Sequence, residues 1–167
     1  MPSFEAVFWD LDETIADTRF LKSARDRQDW DYCRKNIGSV KAFPGIKQAF
    51  EVVAEELHTA VITSSPRWYA IEVLQRINLE PKQLVAYRDT RKHKPHADPL
   101  LKASSLLGVD PTRCVMIGDN EKDFEAARRA GVAFFAATWG ELSEEAFREL
   151  GAQVILSKPS DILEHLI

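Results

Sequence analysis

Hydrophobic residues in this chain fall into short runs that alternate with longer stretches of helical spacing. Six runs have strand character: Phe4–Asp10, His58–Ser64, Gln83–Tyr87, Arg113–Gly118, Val132–Ala137 and Ala152–Leu156. Between them, Ile46–Leu57, Trp68–Ile77, Pro99–Leu107 and Asn120–Ala130 place apolar residues three and four apart, the period of a helix with one buried face. Gly108 and Gly131 stand where a helix ends on a left-handed residue. Near-continuous apolar strands separated by helices predict a parallel sheet covered on both faces. With right-handed crossovers, that is a doubly wound, Rossmann-like α/β fold, expected as a single domain over 1–167.

Residues Ile15 to Pro44 break the alternation. They are rich in charge but include Phe20, Leu21, Trp30 and Tyr32. A strandless segment of this length is usually functional. It predicts a short helical cap insert, 15–44, lying over the mouth of a site, with its charge run mostly on a solvated helix face.

Composition changes this picture little and narrows the partners. The chain has 167 residues, 45% of them apolar and 29% charged, enough for one real core. No apolar run approaches the roughly 20 residues of a membrane span. No charged-then-apolar leader precedes the first strand, so a cytoplasmic, non-membrane protein is expected. A net charge of −4 argues against general nucleic-acid binding. Cys33 and Cys114 lack metal-type spacing and are expected to be reduced packing thiols.

Candidate chemistry gathers at strand ends, where doubly wound sheets bind ligands. The first strand runs into Asp10 and Asp12, which an extended backbone would direct to the same side. Two adjacent carboxylates repel, so a fold keeps them for a metal or for acid–base work. Thr63 and Ser64 close the second strand just before a helix near Pro66, a cradle for phosphate. Asp119 ends the fourth strand, and Lys94 lies in a basic stretch (Arg88, Arg91, Lys92, His93). Three carboxylates suit Mg²⁺ better than zinc. Together, these groups describe phosphoryl transfer through an aspartyl-phosphate.

The motifs resemble those of a haloacid dehalogenase (HAD) superfamily phosphatase with a phosphoglycolate-phosphatase-like core. Asp10-Leu11-Asp12-Glu13-Thr14, Thr63-Ser64-Ser65, Lys94-Pro95 with Asp98-Pro99, and Gly118-Asp119-Asn120-Glu121-Lys122-Asp123 occur in that family's order. The resemblance implies Asp10 as nucleophile and Mg²⁺ ligand. It implies Asp12 as general acid and base, with its backbone carbonyl on the metal, and Asp119 as the third metal contact. Thr63, Ser64 and Lys94 would hold phosphoryl oxygens, while Asp123 would support the metal's water shell or orient Lys94. Arg67 and Trp30 are candidates for the substrate rim. Two departures stand out: Glu13 replaces a glycine common in the family, and the insert is shorter than a full cap domain.

The function expected is therefore a Mg²⁺-dependent phosphomonoester hydrolase acting on a phosphorylated small molecule or phosphoprotein. Two other readings use the same residues. One is a receiver-type phosphoacceptor domain with Asp119 as acceptor; the other is a HAD-like scaffold that binds a partner.

Overall fold

The computed structural model describes residues 4–167, so the first three residues of the domain expected over 1–167 lie outside the described residues. Six strands form one parallel sheet: β1 (Ala6–Trp9), β4 (His58–Ile62), β5 (Gln83–Val85), β6 (Cys114–Gly118), β7 (Ala133–Ala137) and β8 (Val154–Leu156). Their order is β5-β4-β1-β6-β7-β8. The chain therefore moves outward from β1 through β4 to β5, then returns to β6 and moves outward the other way. The crevice between β1 and β6 is the point where the winding direction reverses, which is where such sheets bind ligands.

Alternation along β1 separates two cores. Val7 and Trp9 pack with α3 (Ile46–Glu56), α4 (Arg67–Ile77) and α8 (Asp161–Leu166). Ala6 and Phe8 pack on the other face with α5 (Asp98–Leu107) and α6 (Glu121–Ala130). The doubly wound expectation holds on both faces. In α3 the buried residues Ile46, Ala49, Phe50 and Val53 follow the helical period, and Phe50 meets Trp9 at 5.2 Å between ring centroids. Gly108 and Gly131 close α5 and α6 with φ of +69° and +71°, a conformation that would strain a side chain.

Two short helices escaped the sequence reading, α7 (Glu144–Leu150) and α8. Each offers little more than one buried side chain, Phe147 or Ile162, too few to make a period. The expected strands also proved long at their ends. Asp10 lies beyond β1, and Tyr87–Asp89 forms a single tight turn after β5.

The segment 15–44 contains α1 (Lys22–Asp26) and α2 (Trp30–Asn36), two short helices as expected. Its ends are joined by a two-residue antiparallel ladder, β2 (Ala16–Asp17) with β3 (Lys41–Ala42). Leu21, Ala24 and Cys33 are buried in the core on the α3/α4 side. Among the described residues, no helix is long and apolar enough to cross a membrane.

Candidate active site

Asp10 and Asp12 leave the sheet into different surroundings. The strand ends at Trp9, and Leu11 O accepts from the backbone N–H groups of both Ile15 and Ala16 at 3.0 Å, folding the chain into a tight loop. Glu13 sits in that loop at φ +62°, the left-handed region that favours glycine. Asp10 and Asp12 thus flank the start of that loop and are held by different partners.

Asp10 belongs to an acidic pocket built around Lys94. The Lys94 ammonium donates to Asp10 Oδ1 and to Asp123 Oδ1, both at 2.7 Å, and to the Ile62 carbonyl at 3.0 Å. One buried cation thus ties together residues from the ends of β1, β4 and the start of α6. Burial opposes the charge on Lys94, but Asp10 and Asp123 outweigh it and raise its pKa. Asp119, fully buried, accepts from the Thr14 hydroxyl at 2.8 Å and from the Glu141 N–H at 2.9 Å. Asp123 Oδ2 accepts from the Asp119 N–H at 3.2 Å, so both of its oxygens are engaged.

Close approach is built into this pocket. A Cβ on Gly118 would fall 2.5 Å from Asp123 Cβ. One on Gly140 would collide with Asp119 Cβ and the Glu13 carbonyl. Trp139 adds an indole N–H to the Thr14 carbonyl at 2.9 Å, so the loop after β7 clasps the loop after β1.

The electrostatics fit a cation. Carboxylate oxygens of Asp10, Asp119 and Asp123 all lie within 4.8 Å of one another. Burial, followed by the charges of Asp10 and Asp123, pushes the Asp119 carboxyl up to about 10. Burial and then Asp10 push Asp123 up to about 7 against the pull of Lys94. Lys94 alone leaves this pocket short of positive charge. An oxygen-ligated divalent ion would supply it, and Asp10 and Asp119 retain lone pairs for the purpose.

Asp12 has a separate set of partners. Its Oδ1 accepts from the Thr18 hydroxyl at 2.7 Å and the Tyr69 hydroxyl at 2.8 Å, and its Oδ2 from the Ser65 hydroxyl at 2.9 Å. The Arg25 guanidinium lies 3.3 Å from Oδ1. Burial and then the neighbouring Asp12 charge hold the Tyr69 hydroxyl above its ordinary pKa, so it stays a proton donor.

The remaining predicted residues are placed as follows. Thr63 is buried, and its hydroxyl accepts from the Ser65 N–H at 3.0 Å, shaping the turn between β4 and α4. Ser64 is exposed in that turn. Arg67 donates to the Leu84 carbonyl at 2.8 Å and to Asp89 at 2.6 Å, on the β5 side of α4. Trp30 packs edge-on against Trp68 and 5.8 Å from the Tyr69 ring. Both cysteines are free and buried, and burial pushes the Cys114 thiol up to about 12.

Sequence reasoning did not single out Thr14, Thr18, Arg25, Ser65, Tyr69 or Gly140. Arg25 departs from the expectation of a solvated charge run, since its side chain is only 10% exposed. Its guanidinium is held inward by Asp12, Glu13 and the Thr18 carbonyl. Ser65 lies in the turn before α4 and Tyr69 in its first turn, so the only signal for them was two hydroxyls close after a strand end.

Comparison with known proteins agrees with this architecture. Residues 24–137 match the family model of the haloacid dehalogenase-like hydrolases, and the chain belongs to that family. It is 31% identical over 130 residues to N-acetylmuramic acid 6-phosphate phosphatase of Pseudomonas aeruginosa, covering 75% of this chain and 58% of that protein. It is 32% identical over 122 residues to phosphoglycolate phosphatase of Xanthomonas campestris, covering 68% and 55%. The chain thus spans little more than half the length of these curated relatives. Among solved structures, a haloacid dehalogenase-like hydrolase of Streptococcus pneumoniae matches all of both chains with a TM-score of 0.85 at 18% identity. A HAD family hydrolase of Deinococcus radiodurans, with bound phosphate and sodium, matches 99% of this chain and 96% of its own at a TM-score of 0.80 and 19% identity.

Proposed function

We propose that this chain is a Mg²⁺-dependent phosphomonoester hydrolase that works through an aspartyl-phosphate on Asp10. The observation that carries the reading is the Lys94 bridge at 2.7 Å to Asp10, beside the buried carboxyl of Asp119. It orients the Asp10 carboxylate and leaves a fixed positive charge where phosphoryl oxygens would lie. Its phosphatase relatives add support.

In this mechanism an Asp10 oxygen attacks phosphorus as the ester P–O bond breaks. The departing oxygen takes a proton from the Asp12 carboxyl. Water then attacks the aspartyl-phosphate, gives its proton to Asp12 and releases phosphate with Asp10 restored. Asp10, Asp119 and the Asp12 carbonyl would hold Mg²⁺, which supplies charge neutralisation for the phosphoryl oxygens when bound. Thr63 and the Ser64 backbone would complete the cradle beside Lys94. Asp123 holds Lys94 in place, and substrate of small-molecule or protein origin would enter past the insert.

A receiver-type reading would place the phosphoryl group on Asp119. That carboxyl is fully buried and already accepts from Thr14 and Glu141, which disfavours it as an acceptor. A panel of phosphomonoesters, phosphopeptides included, assayed with Mg²⁺ and with EDTA tests the proposal. Turnover that requires Mg²⁺ and vanishes in a folded Asp10→Asn variant is the expected result. Wild-type rates in Asp10→Asn would exclude the mechanism, and complete inactivity across the panel would favour the scaffold reading.

A further inference from the structure

Asp12 is reached by a residue from outside the sheet. Arg25, on α1 of the insert, lies 3.3 Å from Asp12 Oδ1. The same guanidinium donates to Glu13 Oε2 and to the Thr18 carbonyl, each at 2.9 Å, and approaches the Tyr69 hydroxyl at 3.5 Å. Its fork spans two adjacent carboxylates, a backbone carbonyl and a phenol. The other arginines paired within the insert lie outside: Arg19 with Asp17 and Arg27 with Asp29 keep 65% and 61% of their side chains exposed.

We propose that Arg25 is the positioning residue of the general acid, and that the insert serves as a strut for Asp12. This rests on the phosphatase reading above. Three hydroxyl donors, those of Thr18, Ser65 and Tyr69, and the Arg25 cation surround the Asp12 carboxylate. Rotation of Asp12 would break several of these contacts at once. Arg25 also touches Tyr69 and the Thr18 carbonyl, so it fixes two of the three hydroxyl donors as well as the acid.

Glu13 is the second half of the device. Its left-handed backbone incurs a strain that glycine would avoid. In return its carboxylate, 9% exposed, anchors Arg25 through the guanidinium nitrogen that does not face Asp12. The Thr18 hydroxyl lies 2.7 Å from Asp12 and 2.8 Å from Glu13, linking the two carboxyls a second time. An insert that needed only to stay attached would do as well with apolar packing, because a buried ion pair is a poor source of net stability. What the pair contributes is geometry. Lysine would supply the charge but not the fork.

The test compares leaving groups. p-Nitrophenolate departs from phosphate without a proton, whereas an alkoxide requires one, so damage to the acid falls on alkyl phosphates. Arg25→Met, Arg25→Lys and Glu13→Gln are assayed with Mg²⁺ on p-nitrophenyl phosphate and on glycerol 2-phosphate. Arg25→Met is expected to lose about 10²-fold or more in kcat/KM, which reports the attack on phosphorus and not the later hydrolysis common to both esters, on the alkyl ester and less than about 10-fold on the aryl ester. Arg25→Lys should regain part of the difference, and Glu13→Gln should show the same selectivity more weakly. In an Asp12→Asn background, Arg25→Met should add little further loss, since the two residues act as a unit. Equal losses of kcat/KM on both esters, or full additivity with Asp12→Asn, would overturn the proposal. If Arg25→Met does not fold, Arg25→Lys and Glu13→Gln carry the same comparison. A wild-type protein inactive on both esters with Mg²⁺ would instead remove the phosphatase reading, a failure distinct from any pattern among the variants.

Discussion

The Thr14 hydroxyl donates to Asp119 Oδ1 at 2.8 Å across a sequence separation of 105 residues, joining the loop after β1 to the end of β6. Both side chains are fully buried. Thr14→Val keeps the shape and removes the donor, leaving the buried Asp119 short of a partner. Unfolding by urea should show a loss of about 1–3 kcal/mol. Calorimetric titration should show weaker Mg²⁺ binding, because Asp119 would lose one of the two contacts that orient it. Unchanged stability together with unchanged metal binding would contradict the role assigned to this contact.

Crowded acids make the metal-free protein sensitive to alkali. Asp119 and Asp123 have folded pKa values of about 10 and about 7, both above their unfolded values. The folded state therefore binds more protons than the unfolded state. The resulting stability is complete below the unfolded carboxylate pKa and drains away as pH rises through the folded values. In EDTA, the melting temperature should fall between about pH 6 and about pH 10. Mg²⁺ should flatten the decline by replacing protons with a cation. A melting temperature in EDTA that is level or rising over that range would contradict the crowding.

Gly140 is required for its lack of a side chain. An alanine Cβ would strike Asp119 Cβ and the Glu13 carbonyl. Both atoms belong to tightly held loops, so relief requires backbone movement, and Gly140→Ala should cost about 1–3 kcal/mol by urea denaturation. Metal affinity should fall in parallel. An equivalent change at exposed Gly38, where no atom lies within 4 Å of the added carbon, should leave metal affinity intact.

Two helix caps provide a contrast between stability and function. Asn120 accepts from the Asp123 N–H at 3.1 Å and starts α6, while Ser143 accepts from the Ala146 N–H at 3.2 Å and starts α7. Replacing either with alanine should cost about 1 kcal/mol. Only Asn120→Ala should also lower kcat, because Asp123 in the first turn of α6 holds Lys94. Equal catalytic effects from both substitutions would argue against that link.

Much of the fold was legible because its signals are local. Strand runs such as His58–Ile62 and Cys114–Gly118 are near-continuously apolar, and Gly108 and Gly131 mark helix ends by backbone need alone. The residues gathered at strand ends were legible for the same reason: Asp10, Thr63 and Asp119 each follow an apolar run. Lys94 follows no such run and was marked by the basic stretch and by the motif it resembles. The tight loop after Asp12 was not legible, because it passes through a left-handed Glu13 that no propensity favours. Arg25 looked like its charged neighbours; only the carboxylates of Asp12 and Glu13 and the Thr18 carbonyl, brought near by the fold, draw that side chain inward. Gly140 acts on Asp119 and on Glu13, the latter more than a hundred positions earlier, where periodicity carries no information.

The two-residue ladder between Ala16–Asp17 and Lys41–Ala42 has a consequence for how this architecture changes over time. It holds the entrance and exit of the insert side by side, so the sheet is indifferent to how much chain lies between them. Lengthening such a loop adds only a slowly growing entropic cost. The ladder is thus a socket: a larger module could be spliced in while the six-stranded platform keeps its register. Any replacement would inherit one obligation, which is to return a forked cation to the place where Arg25 now stands.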